Sequence, residues 1–244
     1  MSLLDSQIPE LLSRKLQSLA AISAAEEDTL AALPWRYEDF GPRHQFVGVG
    51  DTPTASCIVV SGFVVRGRYT EAGERQILAV HIPGDLPDLQ SLNLRRMDHS
   101  LETIGRCRVG FVSHNALRRA CEHTSSLVTA FWRETLVDAS LYRAAIFRNG
   151  QLEPVARLAH FLCELYFRHK AVGLVGPKGF PFQMSQEVTG EVLGLTVVSV
   201  NRAAKALRAQ GLLETTDRHI HVPDVTALCR IGQFDRTFLH QGER

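Results

Sequence analysis

The sequence predicts an α+β protein built in three successive parts. Three observations predict it. Short apolar stretches broken by Gly, Pro and Asp fill residues 35–112; a helix with apolar residues at heptad spacing follows; two short capped helices then meet at a glycine and lead into a β-hairpin. The limits drawn from these patterns are 1–123, 124–148 and 149–244.

The chain opens as helix, with Leu11, Leu12, Leu16, Leu19 and Ala20 at helical spacing. Ser23 begins a second short helix, AEEDTLAAL, which Pro34 ends. CIVVSGFVVRGRY is β-branched and aromatic, with a bend expected at Gly62. EAGER (71–75) is a turn, QILAVHI the next strand, and IPGDLP a break. HSLETIGRCRVGFVS then reads as two further strands. Many short strands with regular turns point to a sandwich or small barrel rather than a βαβ unit.

Residues 115–147 turn helical again. Val128, Trp132, Thr135, Ala139, Tyr142 and Ile146 are spaced 4, 3, 4, 3, 4, a heptad seam. Leu136, Val137, Leu141 and Ala144 add apolar positions off that seam. A helix apolar on two faces is buried on two sides, here by its own domain and by a second chain; a core helix of a monomer is the alternative. Asn149-Gly150 is the expected break and hinge. Pro154 suits the first turn of the next helix, which carries Val155, Leu158, Ala159, Leu162, Leu165 and Tyr166. Residues 173–182 form a Gly/Pro-rich loop with a short strand.

The most informative stretch is MSQEVTGEVLGLTVVSVNRAAKALRAQGLLE (184–214). Ser185 caps a helix from Gln186 to Leu193, Gly194 makes the turn, and Thr196 caps a second helix that ends before Gly211. Val188, Val192, Leu195, Val200, Ala204 and Leu207 face inward. This is a helix-turn-helix whose second helix presents a basic face free of acid over 196–211. Such a helix fits the major groove, and its first turns reach base edges. Candidate DNA contacts are Ser185, Thr196, Val197, Val198, Ser199, Asn201, Arg202, Lys205 and Arg208. Arg202 suits guanine, Asn201 adenine or a phosphate, and Lys205 and Arg208 the backbone. LLETT and HIHVP flank a turn at Asp217-Arg218, a β-hairpin wing that FPF (180–182) extends into a small sheet. His219 and His221 share one face of that strand and read as wing surface, with no metal expected.

Composition agrees with a folded chain and narrows the classes. Hydrophobic residues make up 45% and charged residues 22% of the 244, which excludes a disordered or collagen-like chain. The net charge of +1 conceals a split: residues 1–147 hold 15 basic and 17 acidic residues, residues 148–244 hold 12 and 9. No apolar run reaches the roughly 18 residues of a membrane span, and the N-terminus lacks a signal pattern, so a soluble cytoplasmic protein with no membrane partner is expected. Cys57, Cys107, Cys121, Cys163 and Cys229 are scattered without a CxxC, against disulfides or zinc. No nucleophile elbow, P-loop or HExxH occurs, and G-x-G at Gly48–Gly50 is too short for a dinucleotide fingerprint. Asp98-His99-Ser100 has triad residue types, but neighbours in sequence seldom point at one another; a hydrolase is the remote alternative, and no catalytic residue is expected.

From about Leu16 to Leu239 the chain resembles the Crp/Fnr family of bacterial transcription regulators. GLTVVSVNRAAKALRAQGLL is similar to its winged-helix pattern, and GFVVRGRYTEAGERQILAVHIPGDL to its cyclic-nucleotide-binding roll. The resemblance implies an N-terminal double-stranded β-helix (a jelly-roll-like β-roll) as sensor, a dimerisation helix over 124–148 and a winged helix-turn-helix. It implies a homodimer on palindromic double-stranded DNA, a signal passed by population shift, and contact with RNA polymerase. Residues that the resemblance places at an effector pocket are Gly84, Asp85, Leu86, His99, Ser100, Tyr142 and Arg143. The sequence departs from the family at two places. Val198 stands where the commonest recognition code has Glu, and His99 stands where a phosphate-gripping Arg is expected; a neutral imidazole grips phosphate less well. A cyclic-nucleotide-responsive regulator is therefore the alternative, and a degenerate sensor the leading reading. The cysteine cluster of the iron–sulfur branch is missing, since the first cysteine is Cys57, so no cofactor is expected.

Overall fold

The computed structural model describes residues 7–122 and 124–242. Residues 1–6 of the opening segment, His123 at the expected domain limit and residues 243–244 lie outside them. Two helices come first, α1 (Gln7–Leu19) and α2 (Ala24–Ala31). Ser23 and Glu26 form a reciprocal capping box, which fixes the start of α2 where the sequence predicts it. Ile8, Leu12 and Leu16 bury one face of α1 in a cluster with Ile58, Val60 and Val112. No described helix is long and apolar enough to cross a membrane.

An antiparallel sheet contains β1 (Arg36–Phe40), β2 (Gln45–Val47), β3 (Ala55–Tyr69), β4 (Arg75–His81) and β5 (Ser100–Ser113). Its order is β1-β5-β3-β4, with β2 also on β5. Residues 100–113, expected as two strands, are one strand of 14 residues; Gly105, at φ +70, bends it without ending its pairing. Gly62 does the same for β3. Its φ is +83, and a Cβ there would lie 2.5 Å from the Arg106 carbonyl oxygen. The resulting bulge shifts the alternation of the strand. Before it, Ile58 and Val60 face the α1 cluster; beyond it, Phe63 and Val65 face a different cluster, formed with the C-terminal part. Cys57, Val59 and Val64 share the third cluster with Val109. Gly62→Ala is therefore expected to cost about 1–3 kcal/mol, read as a lower urea midpoint.

Helix α3 (His114–Cys121) leads to α4 (Ser125–Gln151), 27 residues long and so about 40 Å. The break expected at Asn149-Gly150 is absent. The Asn149 side-chain amide instead donates to the Val192 carbonyl at 3.0 Å, and the helix continues to Gln151. The chain leaves it at Leu152 and Glu153, both extended, because a proline disfavours helical backbone in the residue before it. Pro154 opens α5 (Pro154–Ala171).

Helices α6 (Gln186–Leu193), α7 (Val197–Ala209) and α8 (Val225–Ile231) complete the C-terminal part. Beside them lies a small sheet, β6 (Phe180–Pro181), β8 (His219–His221) and β7 (Glu214–Thr216), in that order. One core joins this part to the large sheet: Phe63, Ile77 and Val80 pack with Phe161, Leu162 and Val192. Helix α4 is two-faced. Leu127, Ala130, Phe131 and Val137 are buried, whereas Trp132 is 66% and Ile146 74% exposed, together with Val128, Leu136 and Phe147. Of the heptad seam, Val128, Trp132 and Ile146 are exposed and Thr135, Ala139 and Tyr142 half-buried.

Candidate nucleic-acid interface and its coupling to the roll

Helix α6 starts at Ser185, whose hydroxyl accepts from the Val188 N–H at 3.2 Å. It ends at Gly194, in the left-handed region at φ +61. Thr196 caps α7 by accepting from the Ser199 N–H at 3.2 Å, and its hydroxyl meets that of Ser199 at 3.0 Å. Two supports of this turn were not singled out in the sequence. At Gly190 a Cβ would lie 2.5 Å from the Leu195 carbonyl oxygen, so only glycine lets helix and turn approach. Arg157 on α5 donates to the Leu193 carbonyl at 2.9 Å, closing the end of α6. Gly190 is marked only by its place in a short helix, and the partner of Arg157 lies 36 residues away.

Val200, Ala203, Ala204 and Leu207 bury the inner face of α7. Its outer face exposes Thr196, Val197, Val198, Asn201, Arg202, Lys205 and Arg208, with Ser199 half-buried. Asn201, Arg202, Lys205 and Arg208 make no side-chain hydrogen bond or ion pair among the described residues. Arg66, Arg75, Arg148 and Arg168, in contrast, are all paired. Three cations on one helix face, without acidic partners among the described residues, attract phosphate. The wing stands next to them. Asp217 and Arg218 have φ of +45 and +64, a two-residue hairpin turn of the primed kind. Ile220 is buried and His219 and His221 are half-buried on the other side of the strand.

The residues proposed for an effector pocket do not form one cradle. Asp85 is buried in an ion network: its carboxylate accepts from Lys15 at 2.8 Å, from Arg168 at 2.5 Å and from the Ile82 N–H at 2.8 Å. Burial pushes this carboxyl up, and Arg168 and Lys15 outweigh burial and hold it well below the usual carboxylate range. Gly84, at φ +96, shapes the turn before it. Leu86 lies in the apolar α1 cluster, and Arg143 is exposed. The Ser100 hydroxyl donates to the Gly67 carbonyl at 3.1 Å, away from His99, whose ring bonds Asp98 at 2.6 Å and Gln90 at 3.3 Å. Burial and the nearby Arg66 push the His99 imidazole down.

Arg66, overlooked in the sequence, sits at the centre of what remains. Its guanidinium donates to Asp138 at 2.7 Å, to the Tyr142 hydroxyl and to the Pro87 carbonyl, and lies 5.4 Å from the Tyr142 ring. The space left beside Tyr142, between β4, α4 and α5, is about 20 Å³. Small-molecule sites take roughly 300–1,000 Å³. Asp85 is thus committed to Lys15 and Arg168, His99 to Asp98 and Gln90, and Arg66 fills the centre.

The ion network continues past Asp85. Arg168 pairs with Glu164 at 2.8 Å and donates to the Val80 carbonyl at 2.9 Å; Glu164 pairs with Arg148 at 2.8 Å; Lys15 also meets Glu134 at 3.3 Å. It thus links α1, the turn after β4, α4 and α5. On the outer side, Arg75 of β4 pairs with Glu191 of α6 at 2.7 Å. The roll therefore holds the helix-turn-helix through charged contacts as well as apolar ones.

Buried histidines give the fold an acid limit. Burial, with Arg66, pushes His81 down to about 3; burial, with Arg148, pushes His160 down to about 4; burial pushes His169 down to about 4. An unfolded histidine titrates near 6.5. Below that pH the unfolded chain takes up protons that the native chain refuses, so stability falls as pH falls. Asp88 and Glu134, pushed up by burial to about 6 and about 7, act in the opposite direction because the native chain binds their protons first. The three histidines outnumber the two carboxylates at displacements of similar or larger size, so the net expectation is a lower Tm at about pH 4.5 than at about pH 7. Neither ring nitrogen of His160 has a hydrogen-bond partner among the described residues, and the ring packs 5.0 Å from that of Phe234. Scanning calorimetry of His160→Phe is expected to show a smaller acid loss.

Comparison with known proteins matches both parts. Residues 39–124 match the cyclic nucleotide-binding domain family, and residues 156–231 match the Crp-like helix-turn-helix domain family. The chain is 26% identical over 186 residues to the transcriptional activator protein anr of Pseudomonas aeruginosa, covering 75% of each. It is 26% identical over 175 residues to the nitrogen fixation regulation protein FixK of Azorhizobium caulinodans, covering 71% of this chain and 70% of the relative. In fold it is similar to FixK2 from Bradyrhizobium japonicum, with a TM-score of 0.72 and 24% identity, covering 82% of this chain and 98% of that one.

Proposed function

This chain belongs to the Crp/Fnr family of transcription regulators and is a sequence-specific DNA-binding protein, and on that premise we propose that it works as a homodimer on palindromic sites with a roll that needs no cyclic nucleotide. The observation that carries the reading is the outer face of α7, where Arg202, Lys205 and Arg208 are exposed without acidic partners. Arg202 reads guanine through its fork, Asn201 reads adenine, and Lys205 and Arg208 hold phosphates. Ser185, Thr196 and Ser199 frame the helix start and offer hydroxyls to the backbone.

The dimer is supported by the exposed seam of α4. A groove of about 610 Å³, lined by Leu92, Leu94, Phe131 and Trp132 among others, runs beside it and is shaped to take apolar side chains of the partner. Two-fold symmetry would present the basic helix twice, roughly 34 Å apart, one turn of DNA. The protein acts in the cytoplasm, where its DNA lies, and adjusts transcription through contact with RNA polymerase. Population shift links roll and DNA: the Arg66 and Asp85 contacts hold α4 and α5, so a change in the roll alters the spacing of the two heads. We assign it no catalytic step.

Selection of bound DNA from a random pool, followed by salt titration, tests the reading. Arg202→Ala is expected to cost about 1–3 kcal/mol and relax the choice at one base pair. Salt-insensitive binding, or no change with that variant, would overturn it. Cyclic AMP and cyclic GMP are expected to leave both Tm and DNA affinity unmoved; a micromolar dissociation constant with a gain in DNA affinity would restore the nucleotide-responsive alternative.

A further inference from the structure

Helix α7 shows an apolar side chain where hydrogen-bonding groups are expected. Val198 is 58% exposed on the outer face of a helix whose inward positions are packed: Val200 is 3% exposed and Leu207 fully buried. Asn201 and Arg202 stand three and four residues further on, so they share its face. The chain carries no Asp or Glu from Val192 to Leu213, and α7 therefore has no carboxylate to accept from a cytosine amino group. Valine neither donates nor accepts. The apolar group that the major groove displays is the C5-methyl of thymine. The same face is cationic: Arg202, Lys205 and Arg208 are exposed and make no ion pair among the described residues.

We propose that Val198 is a specificity-determining residue that packs on a pyrimidine C5-methyl, so that each half-site holds a thymine next to the bases read by Asn201 and Arg202. Its branched side chain suits the task. In a helix a valine keeps essentially one rotamer, so its two methyls form a fixed surface without further ordering. The Thr196 cap holds the turn that carries it, through the Ser199 N–H and hydroxyl. The inference rests on the DNA-reading function above and deepens it to one base pair.

Uracil substitution tests it on the unaltered protein. A half-site is first selected from a random pool, and each thymine in it is then replaced in turn by uracil, which lacks only the methyl. At one position uracil is expected to weaken binding about four-fold, the worth of one buried methyl. Val198→Ala should bind the thymine site more weakly and lose most of that uracil effect. At the sensitive position 5-methylcytosine should bind better than cytosine, which separates the methyl from the thymine O4 as the group recognised. Failure to select any sequence would overturn DNA reading itself. A selected site that is indifferent to uracil everywhere, or equal binding of cytosine and 5-methylcytosine, would overturn the methyl contact alone. A uracil effect kept in full by Val198→Ala would assign the methyl to another residue.

Discussion

Arg168→Ala is expected to lower stability by about 3–5 kcal/mol, more than any surface change in the DNA-reading helix. Arg168 is 5% exposed, and its guanidinium serves three acceptors from two parts of the molecule: Asp85 in the turn after β4, Glu164 on its own helix and the Val80 carbonyl. Removing it leaves three buried carboxylates, Asp85, Glu134 and Glu164, to two cations, Lys15 and Arg148. A buried ion pair can be energetically neutral as a whole, but breaking it from one side leaves an uncompensated charge, and that is the large term. The companion variant separates the two cases. In Arg168→Ala with Asp85→Ala both partners are gone, and the loss should be smaller than the sum of the single losses. Urea unfolding of the four proteins measures this. A loss below about 1 kcal/mol for Arg168→Ala would mean that water reaches the cluster and the network does not couple the parts.

The effect on function follows from where the network lies. Asp85 belongs to the turn at the edge of the roll and Arg168 to the first helix of the DNA-binding part, so the pair joins the two directly across 83 residues of chain. A variant that keeps its fold but loses this link is expected to show faster amide exchange in α6 and α7 than in β3 and β5.

Local chemistry made the DNA-reading end legible in the sequence. Ser185, Gly194 and Thr196 each act on residues within four positions of themselves, so caps and turn could be placed to the residue. The wing was legible for the same reason, because Asp217-Arg218 sets both halves of its hairpin. Two features misled. Glycine normally ends a strand, yet Gly105 bends one whose pairing continues on both sides, as Gly62 does at the bend expected there. Asn149-Gly150 normally ends a helix, yet the Asn149 side chain finds its acceptor on another helix. The roll was least legible. Arg66 meets Asp138 and Tyr142, 72 and 76 residues away, and Asp85 meets Arg168, 83 residues away. Nothing in a stretch of twenty residues distinguishes an arginine that fills a pocket from one that faces water.

Trp132→Asp combined with Ile146→Asp is expected to separate the two chains and to weaken binding to a palindromic site about 10²–10⁴-fold, while binding to a single half-site stays near its own low value. Trp132 and Ile146 are about four turns apart on α4, and with Leu136 and Phe147 they leave an apolar face uncovered by the chain's own domain. Exposed tryptophan of this size is the commonest kind of interface hot spot, and a carboxylate in its place brings desolvation and like-charge repulsion across a two-fold axis. Neither residue contributes to the buried face made by Leu127, Ala130, Phe131 and Val137, so the monomer should keep its stability within the scatter of surface changes, about 0.5 kcal/mol. Sedimentation distinguishes this from unfolding, and gel shifts on whole and half palindromes distinguish lost avidity from lost reading. A variant that remains dimeric would place the interface elsewhere. A monomer that still binds the palindrome at full strength would separate dimerisation from DNA recognition and leave α4 as a connecting rod alone.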